Sequence, residues 1–176
     1  MASAVVAGCE SNDHASAPHA LNRLITLRNS SPCATVMSSF VHGCEKPDKD
    51  RGAALGPRKL QRVTSLSVDP PQLLVNINRQ ASSFSLIARH RTFGADILGA
   101  DQRDIAARFS NGRFKGKERF DGFSWTRGAS GVPLLGEALA ALECEVDEII
   151  ERYSHGIVVG RLVDVGLSQR LSGLAY

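Results

Sequence analysis

The spacing of apolar residues divides the chain near residue 63. In front of it the pattern is weak. Ala20 to Arg28 carries Leu21, Leu24, Ile25 and Leu27 close to helical spacing, and Asn29-Ser-Ser-Pro32 ends that run. Ala34 to Val41 predicts a strand. His42 to Arg62 holds nine charged residues in 21, with Gly43, Pro47, Gly52, Gly56 and Pro57, and predicts mostly loop. Residues 1–17, made largely of Ala, Ser and small polar residues, predict a disordered tail ahead of one domain over 18–176.

Beyond residue 63 the pattern sharpens. Val63 to Val68 is β-prone and stops at Asp69-Pro-Pro71, where two prolines exclude a helix. Leu73 to Asn78 predicts a second strand. Ala81 or Ser82 starts a helix carrying Phe84, Leu86 and Ile87. Phe93 to Leu98 predicts a short strand. Asp101 caps a helix through Phe109, with Ile105, Ala106 and Phe109 on one face. Asn111 to Gly131 holds five glycines and has no strong periodicity. Leu139 to Ile150 alternates in part, with Leu142, Cys144 and Val146 on one side. Gly156 to Val165 predicts a strand, with a kink expected at Gly160. Several short strands, few helices and no βαβ rhythm predict a mainly β fold with helical insertions, a barrel rather than a doubly wound sheet.

Composition adds bounds. The 176 residues are 43% hydrophobic and suit one domain with a sizeable core. Cys9, Cys33, Cys44 and Cys144 form no CxxC pair, so four reduced thiols in a cytoplasmic protein are the simplest reading. No stretch reaches the roughly 18 apolar residues of a spanning helix, so no membrane is expected. Val6-Ala7-Gly8-Cys9 resembles a lipoprotein site, yet no Lys or Arg precedes it. The net charge of +3 is too small to argue for nucleic acid. Its distribution is uneven. Arg79 to Arg127 carries ten basic and five acidic residues, whereas Gly128 to Asp164 carries two and seven. A local cationic surface suits a small phosphorylated ligand better than a polymer; taken by itself, the uneven charge favours the plainer reading of solvated loops and helix faces.

The motif search removes several enzyme classes. Neither GxGxxG nor GxxxxGK[ST] is present. Gly128-Ala-Ser-Gly131 lacks GxSxG spacing and reads as a Gly-rich turn. Asp101 and Asp104 have Arg103 and Arg108 to neutralise them. The acidic run Glu143 to Glu151 reads as a solvated strand face. His14, His19, His42 and His90 have no ligand spacing, so no metal is expected. Arg113 to Trp125 mixes aromatic and basic residues in a way that suits nucleic acid. Such loops more often fold their aromatics inward, and no nucleic-acid partner is expected.

One ordered series of short motifs resembles a known family. Val63-Thr-Ser-Leu-Ser-Val-Asp-Pro-Pro71, Leu73 to Arg79 and Ser82-Ser83 open it. Phe93 to Leu98, Asp101-Gln102, Ile105 to Phe109, Trp125 to Leu135, Ala138-Leu139 and Leu142-Glu-Cys144 continue it. Ser154-His155 with Val158, Val159 and Gly160 closes it, resembling G-D-H-x-x-x-x-G with Tyr153 and Ser154 in place of Gly and Asp. Over 63–165 the chain resembles the flavin reductase-like family, whose short reductases serve two-component flavin monooxygenases.

The resemblance implies an FMN-binding split β-barrel. It also implies a homodimer with FMN or FAD near the subunit interface, NADH or NADPH as co-substrate, and a partner monooxygenase. The activity implied is flavin reduction, with a flavin-binding barrel lacking reductase activity as the alternative. Hydride transfer needs no protein nucleophile and no metal, because the cofactors supply the chemistry. The flavin-binding residues implied are Arg62, Val63, Thr64, Ser65, Leu66 and Ser67, then Asn78, Arg79, Ser82 and Ser83. Short hydroxyls and backbone N–H groups in these positions suit ring carbonyls, ribityl hydroxyls or phosphate, and a helix start near Ser82 favours phosphate. The same Ser and Asn residues also suit plain caps and turns. His155 is implied as the catalytic residue, orienting nicotinamide or flavin. Two stretches depart from the family pattern. Gly56-Pro-Arg-Lys-Leu-Gln-Arg62 stands where a Thr-, Ala- and Ser-rich strand is usual. The chain ends at Leu174-Ala-Tyr176, where relatives continue with a short tail.

Overall fold

Alternation sets the first hairpin. Leu73, Val75 and Ile77 are buried while Asn76 and Asn78 are exposed, so every second residue of this stretch faces the core. A computed structural model of the chain describes residues 39–43, 63–110, 113–114, 118, 120–169 and 173–174. The expected tail over 1–17, the helix over 20–28, most of the loop over 42–62, Arg62, and Cys9, Cys33 and Cys44 lie outside the described residues.

The elements run β1 Ser39–Gly43, β2 Val63–Val68, β3 Pro71–Asn78, α1 Ser82–His90, β4 Thr92–Ile97, α2 Arg103–Ser110, β5 Trp125–Arg127, β6 Pro133–Leu135, β7 Ala140–Arg152 and β8 His155–Leu167. Six strands form one antiparallel sheet in the order β1-β4-β7-β8-β3-β2, and β5-β6 form a separate pair. The mainly β fold with helical insertions is therefore as expected. Among the described residues β1 and β2 are the edges of the large sheet.

The main core gathers on one face of this sheet. Leu73, Val75 and Ile77 of β3, Phe93 and Ala95 of β4, Leu142 and Cys144 of β7 and Val158 of β8 meet Phe84 and Ile87 of α1. Helix α1 buries the two residues that its spacing singled out, and Leu86 stays half-exposed. A second core lies under α2. Ile105, Ala106 and Phe109 pack with Leu98, Leu135 and Ala138, and Phe120, Phe123 and Trp125 cover them. Phe109, Phe120 and Trp125 pack edge to face, with centroids 4.9–6.1 Å apart. The Arg108 guanidinium lies 4.6 Å from the Phe114 ring centroid. The aromatic stretch thus folds inward, as its composition more often does.

Three expectations are corrected. Helix α2 begins at Arg103 rather than at Asp101. Gln102 ties the turn before it, accepting the Gly99 N–H at 2.8 Å and donating to the Glu137 carbonyl at 2.9 Å. The aperiodic stretch to Gly131 contains strand β5, too short to show alternation. The acidic run is not wholly a solvated face. Glu145, Asp147, Glu148 and Glu151 are exposed, but Glu143 is 1% exposed. Its carboxylate accepts the Ala129 N–H at 3.0 Å, the Ser130 N–H at 2.6 Å and the Ser130 hydroxyl. Gly128-Ala-Ser-Gly131 is the Gly-rich turn expected, and this carboxylate holds it. A Cβ at Gly128 would stand 2.3 Å from Glu143 Oε2, so a larger residue there has to displace the carboxylate that holds the turn.

Gly160 marks a close approach, since a Cβ would meet the Phe93 ring at 2.4 Å. The register shifts of the β7–β8 ribbon fall beside it, between Glu143 and Cys144 and between Val146 and Glu148. Burial, with the Glu143 charge beside it, pushes the Cys144 thiol well above its ordinary range. The thiolate is the reactive form, so native Cys144 is inert near neutral pH. In a Cys9→Ser, Cys33→Ser, Cys44→Ser variant, a disulfide reagent at pH 8 is expected to label nothing until denaturant is added. Rapid native labelling contradicts this burial.

Candidate functional site

Register brings the expected residues to one end of the sheet. Asn78, the last residue of β3, pairs with His155, the first of β8, and His155 pairs across the hairpin with Arg152. Beyond Asn78 the chain turns sharply into α1. Asn78 Oδ1 accepts the Gln80 N–H at 2.8 Å and its backbone carbonyl accepts the Ala81 N–H at 2.9 Å. The turn-forming use of Asn78 is thus present. Ala81 is the N-cap and offers no side-chain bond. The first amides of α1, at Ser82 and Ser83, have no intrahelical acceptor.

The two serines differ. Ser82 is exposed at the helix start. Ser83 is 1% exposed, and its hydroxyl has no hydrogen-bond partner. Arg79 faces the β7–β8 turn. Its backbone N–H donates to the Ser154 carbonyl at 2.9 Å, its Nη1 donates to the Tyr153 carbonyl at 3.2 Å, and its Nη2 stands 2.5 Å from Glu151 Oε2. An exposed ion pair adds little stability. Its effect is geometric: Arg79 fastens the hairpin tip to the β3–α1 corner. His155 is exposed, and its Nδ1 lies 2.8 Å from the Ser154 hydroxyl. That contact engages Nδ1 and leaves Nε2 without a partner among the described residues.

Strand β2 supplies the remaining residues. Val63 pairs with Val75 and Thr64 with Leu74, so β2 begins about 10 Å, three strand steps, from Asn78. Val63, Ser65 and Ser67 are half-buried, while Thr64 and Leu66 are exposed. The structure therefore brings Asn78, Arg79, Ser82 and His155, all exposed, to one end of the sheet, a ledge three strand steps along β3 from the start of β2. It buries Ser83 behind them. Residues that the sequence did not single out are Glu151, which holds Arg79, and Gly156, which admits Phe84.

Gly156 couples this ledge to the core. A Cβ there would stand 2.2 Å from Phe84 Cε2, and Phe84 adjoins Ser82-Ser83 in the first turn of α1. Gly156→Ala is expected to destabilise by about 1–3 kcal/mol, read as a lower denaturant midpoint. An unchanged midpoint contradicts the close approach.

A cavity of about 400 Å³ lies elsewhere, between the β5–β6 pair and the end of β8, lined in part by Thr126, Arg127, Leu134, Gly166 and Ser168. Leu167 pairs with Ala140 at the far end of the ribbon from the Arg152–His155 pair. The cavity is separate from the ledge. Among the described residues no group of three His, Cys, Asp or Glu side chains is placed to hold a metal.

The family model described as "Flavin reductase like domain" matches residues 37–176. The chain belongs to the flavin reductase-like family. Its ledge residues are thus placed on the family's split-barrel fold. The FMN reductase (NADH) RutF of Pseudomonas syringae pv. syringae is 34% identical over 114 residues, covering 65% of this chain and 64% of that protein. The chain spans 35–64% of the length of three curated relatives it matches. Among solved structures, BorF, the flavin reductase component of a bacterial two-component tryptophan halogenase, superposes with a TM-score of 0.66 at 27% identity, covering 88% of this chain and 99% of BorF. The Streptomyces globisporus NADH:FAD oxidoreductase SgcE6, solved with NAD and FAD fragments, gives 0.65 at 25% identity over 87% of both chains.

Proposed function

We propose that this protein transfers hydride from NADH or NADPH to FMN or FAD. The observation that carries the reading is the ledge of Asn78, Ser82 and His155 at the end of a flavin reductase-like sheet. A bound flavin accepts the hydride and stores two electrons. The chain supplies binding and orientation. The Ser82 amide and hydroxyl at the start of α1, with buried Ser83 behind them, offer an anion seat that suits a flavin phosphate. The helix has nine residues, enough for its aligned peptide dipoles to favour an anion. The Asn78 amide NH₂ remains free to donate, since only its oxygen serves the turn. Thr64, Ser65 and Ser67, with the backbone of Val63 and Leu66, flank the seat and suit ribityl hydroxyls or ring carbonyls. Arg79, paired with Glu151, fixes the hairpin at this end of the sheet. His155 Nε2 donates to or accepts from the nicotinamide carboxamide and holds it in hydride-transfer range.

The ledge is exposed in one chain, so a second copy is needed to exclude water from the rings. The reading therefore includes a homodimer with flavin near its interface, placed in the cytoplasm. No helix among the described residues is long and apolar enough to cross a membrane. Relatives named as reductase subunits or components support a monooxygenase as the acceptor of reduced flavin.

Nucleotide oxidation, followed with and without added flavin, tests the proposal. Turnover that depends on flavin is expected. Flavin binding with no turnover favours the barrel without reductase activity. Light scattering on the eluted protein is expected to give twice the 18.9 kDa chain mass, and a monomer contradicts the dimer.

A further inference from the structure

The β7–β8 turn carries a residue that backbone energetics disfavour and that no described residue covers. Tyr153 has φ +48° and is 97% exposed. The left-handed region suits glycine, and a bulky L-residue there is a genuine outlier. At that exposure the phenol ring contributes almost no packing to the fold. The backbone beneath it is nonetheless firmly held. Arg79 binds the Tyr153 carbonyl at 3.2 Å, the Ser154 carbonyl at 2.9 Å and Glu151 at 2.5 Å, which over-determines the strained turn. A rigid tip therefore presents an uncovered aromatic ring two residues from His155.

We propose that Tyr153 stacks on a planar ring of the incoming nicotinamide dinucleotide. The inference rests on the hydride-transfer reading and names a specificity contact for it. The position favours the dinucleotide over the flavin. The ring stands on the hairpin tip two residues from His155, the residue that the reading assigns to the nicotinamide. A co-substrate that arrives and leaves in each turnover meets this ring first and leaves it bare afterwards. Both nicotinamide and adenine have the required flat face.

Glycine separates this role from a structural one, because it relieves the turn while removing the ring. Equilibrium titration with NAD⁺ needs no turnover, so it reads the contact whether or not the protein is a reductase. Tyr153→Gly is expected to weaken NAD⁺ binding about three- to tenfold while the thermal midpoint holds or rises, and Tyr153→Phe keeps the affinity within about twofold. Parallel titration with AMP assigns the ring: weakened AMP binding marks adenine, and unchanged AMP binding marks nicotinamide. NAD⁺ affinity unchanged in Tyr153→Gly overturns the proposal. So does a loss of flavin affinity or of dimer mass in place of the NAD⁺ effect. Absence of turnover in the unaltered protein would instead overturn the reductase reading.

Discussion

His155→Ala is expected to lower kcat/KM for the reduced nicotinamide nucleotide about ten- to a hundredfold and to leave the flavin Kd within about twofold. The magnitude follows from one lost orienting hydrogen bond, since every 1.4 kcal/mol is about tenfold in rate and leaving a desolvated carboxamide without its partner costs about 1–3 kcal/mol. The selectivity follows from position. His155 is exposed at the hairpin end, opposite Asn78 in register, while the anion seat lies on α1. Its side chain contributes no core packing, and its nearest polar contact is the adjacent Ser154 hydroxyl. The folded state should therefore survive the change, so the loss appears in steady-state kinetics and not in the unfolding curve. Unchanged kinetics would leave His155 as an ordinary residue opening a strand.

Glu143→Ala is expected to destabilise the fold by about 2–3 kcal/mol, because it strands donors that now end on a carboxylate. The two amides of Ala129 and Ser130 and the Ser130 hydroxyl all meet that group. The thermal midpoint should fall by roughly 5–10 °C. Glu143→Gln keeps one acceptor oxygen but turns an NH₂ toward the same donors, so it should fall between the two. Activity per folded molecule should change less than stability, since the turn lies away from the His155 ledge. A midpoint shifted by less than about 1 °C in Glu143→Ala would return Glu143 to the solvated face that its neighbours occupy.

Those two residues show what the sequence makes legible. The strands were readable because half-buried strands alternate. Leu73, Val75 and Ile77 face inward against Asn76 and Asn78 outward, and Leu142, Cys144 and Val146 share one face as expected. Glu143 breaks the rule because β7 is covered on both faces at that point. Leu142 and Cys144 meet the main core, and Glu143 meets the Gly128–Ser130 turn from the other side. Periodicity sees one covered face at a time. The signal was available in chemical form, as a glycine-rich turn with free amides beside a short acidic run.

The site was legible chiefly through resemblance. Spacing alone could not separate Ser82 and Asn78 as ligand contacts from the same residues as turn formers, and the structure shows Asn78 forming the turn. Nor could it show that Ser83 points inward while Ser82 faces solvent. The role of Arg79 in the hairpin was hidden because its partners, Tyr153, Ser154 and Glu151, are more than 70 residues away in sequence. The left-handed backbone at Tyr153 was legible only through the resemblance, which has glycine at that position.

The central claim is hydride transfer to flavin at the His155 ledge. One anaerobic pair of spectra tests it most directly: the protein with oxidised FMN or FAD, then the same sample after NADH or NADPH. The account predicts that the visible band of oxidised flavin bleaches with at least one nucleotide and one flavin, faster than in a protein-free control. A band that persists at the control rate for both nucleotides and both flavins would contradict it.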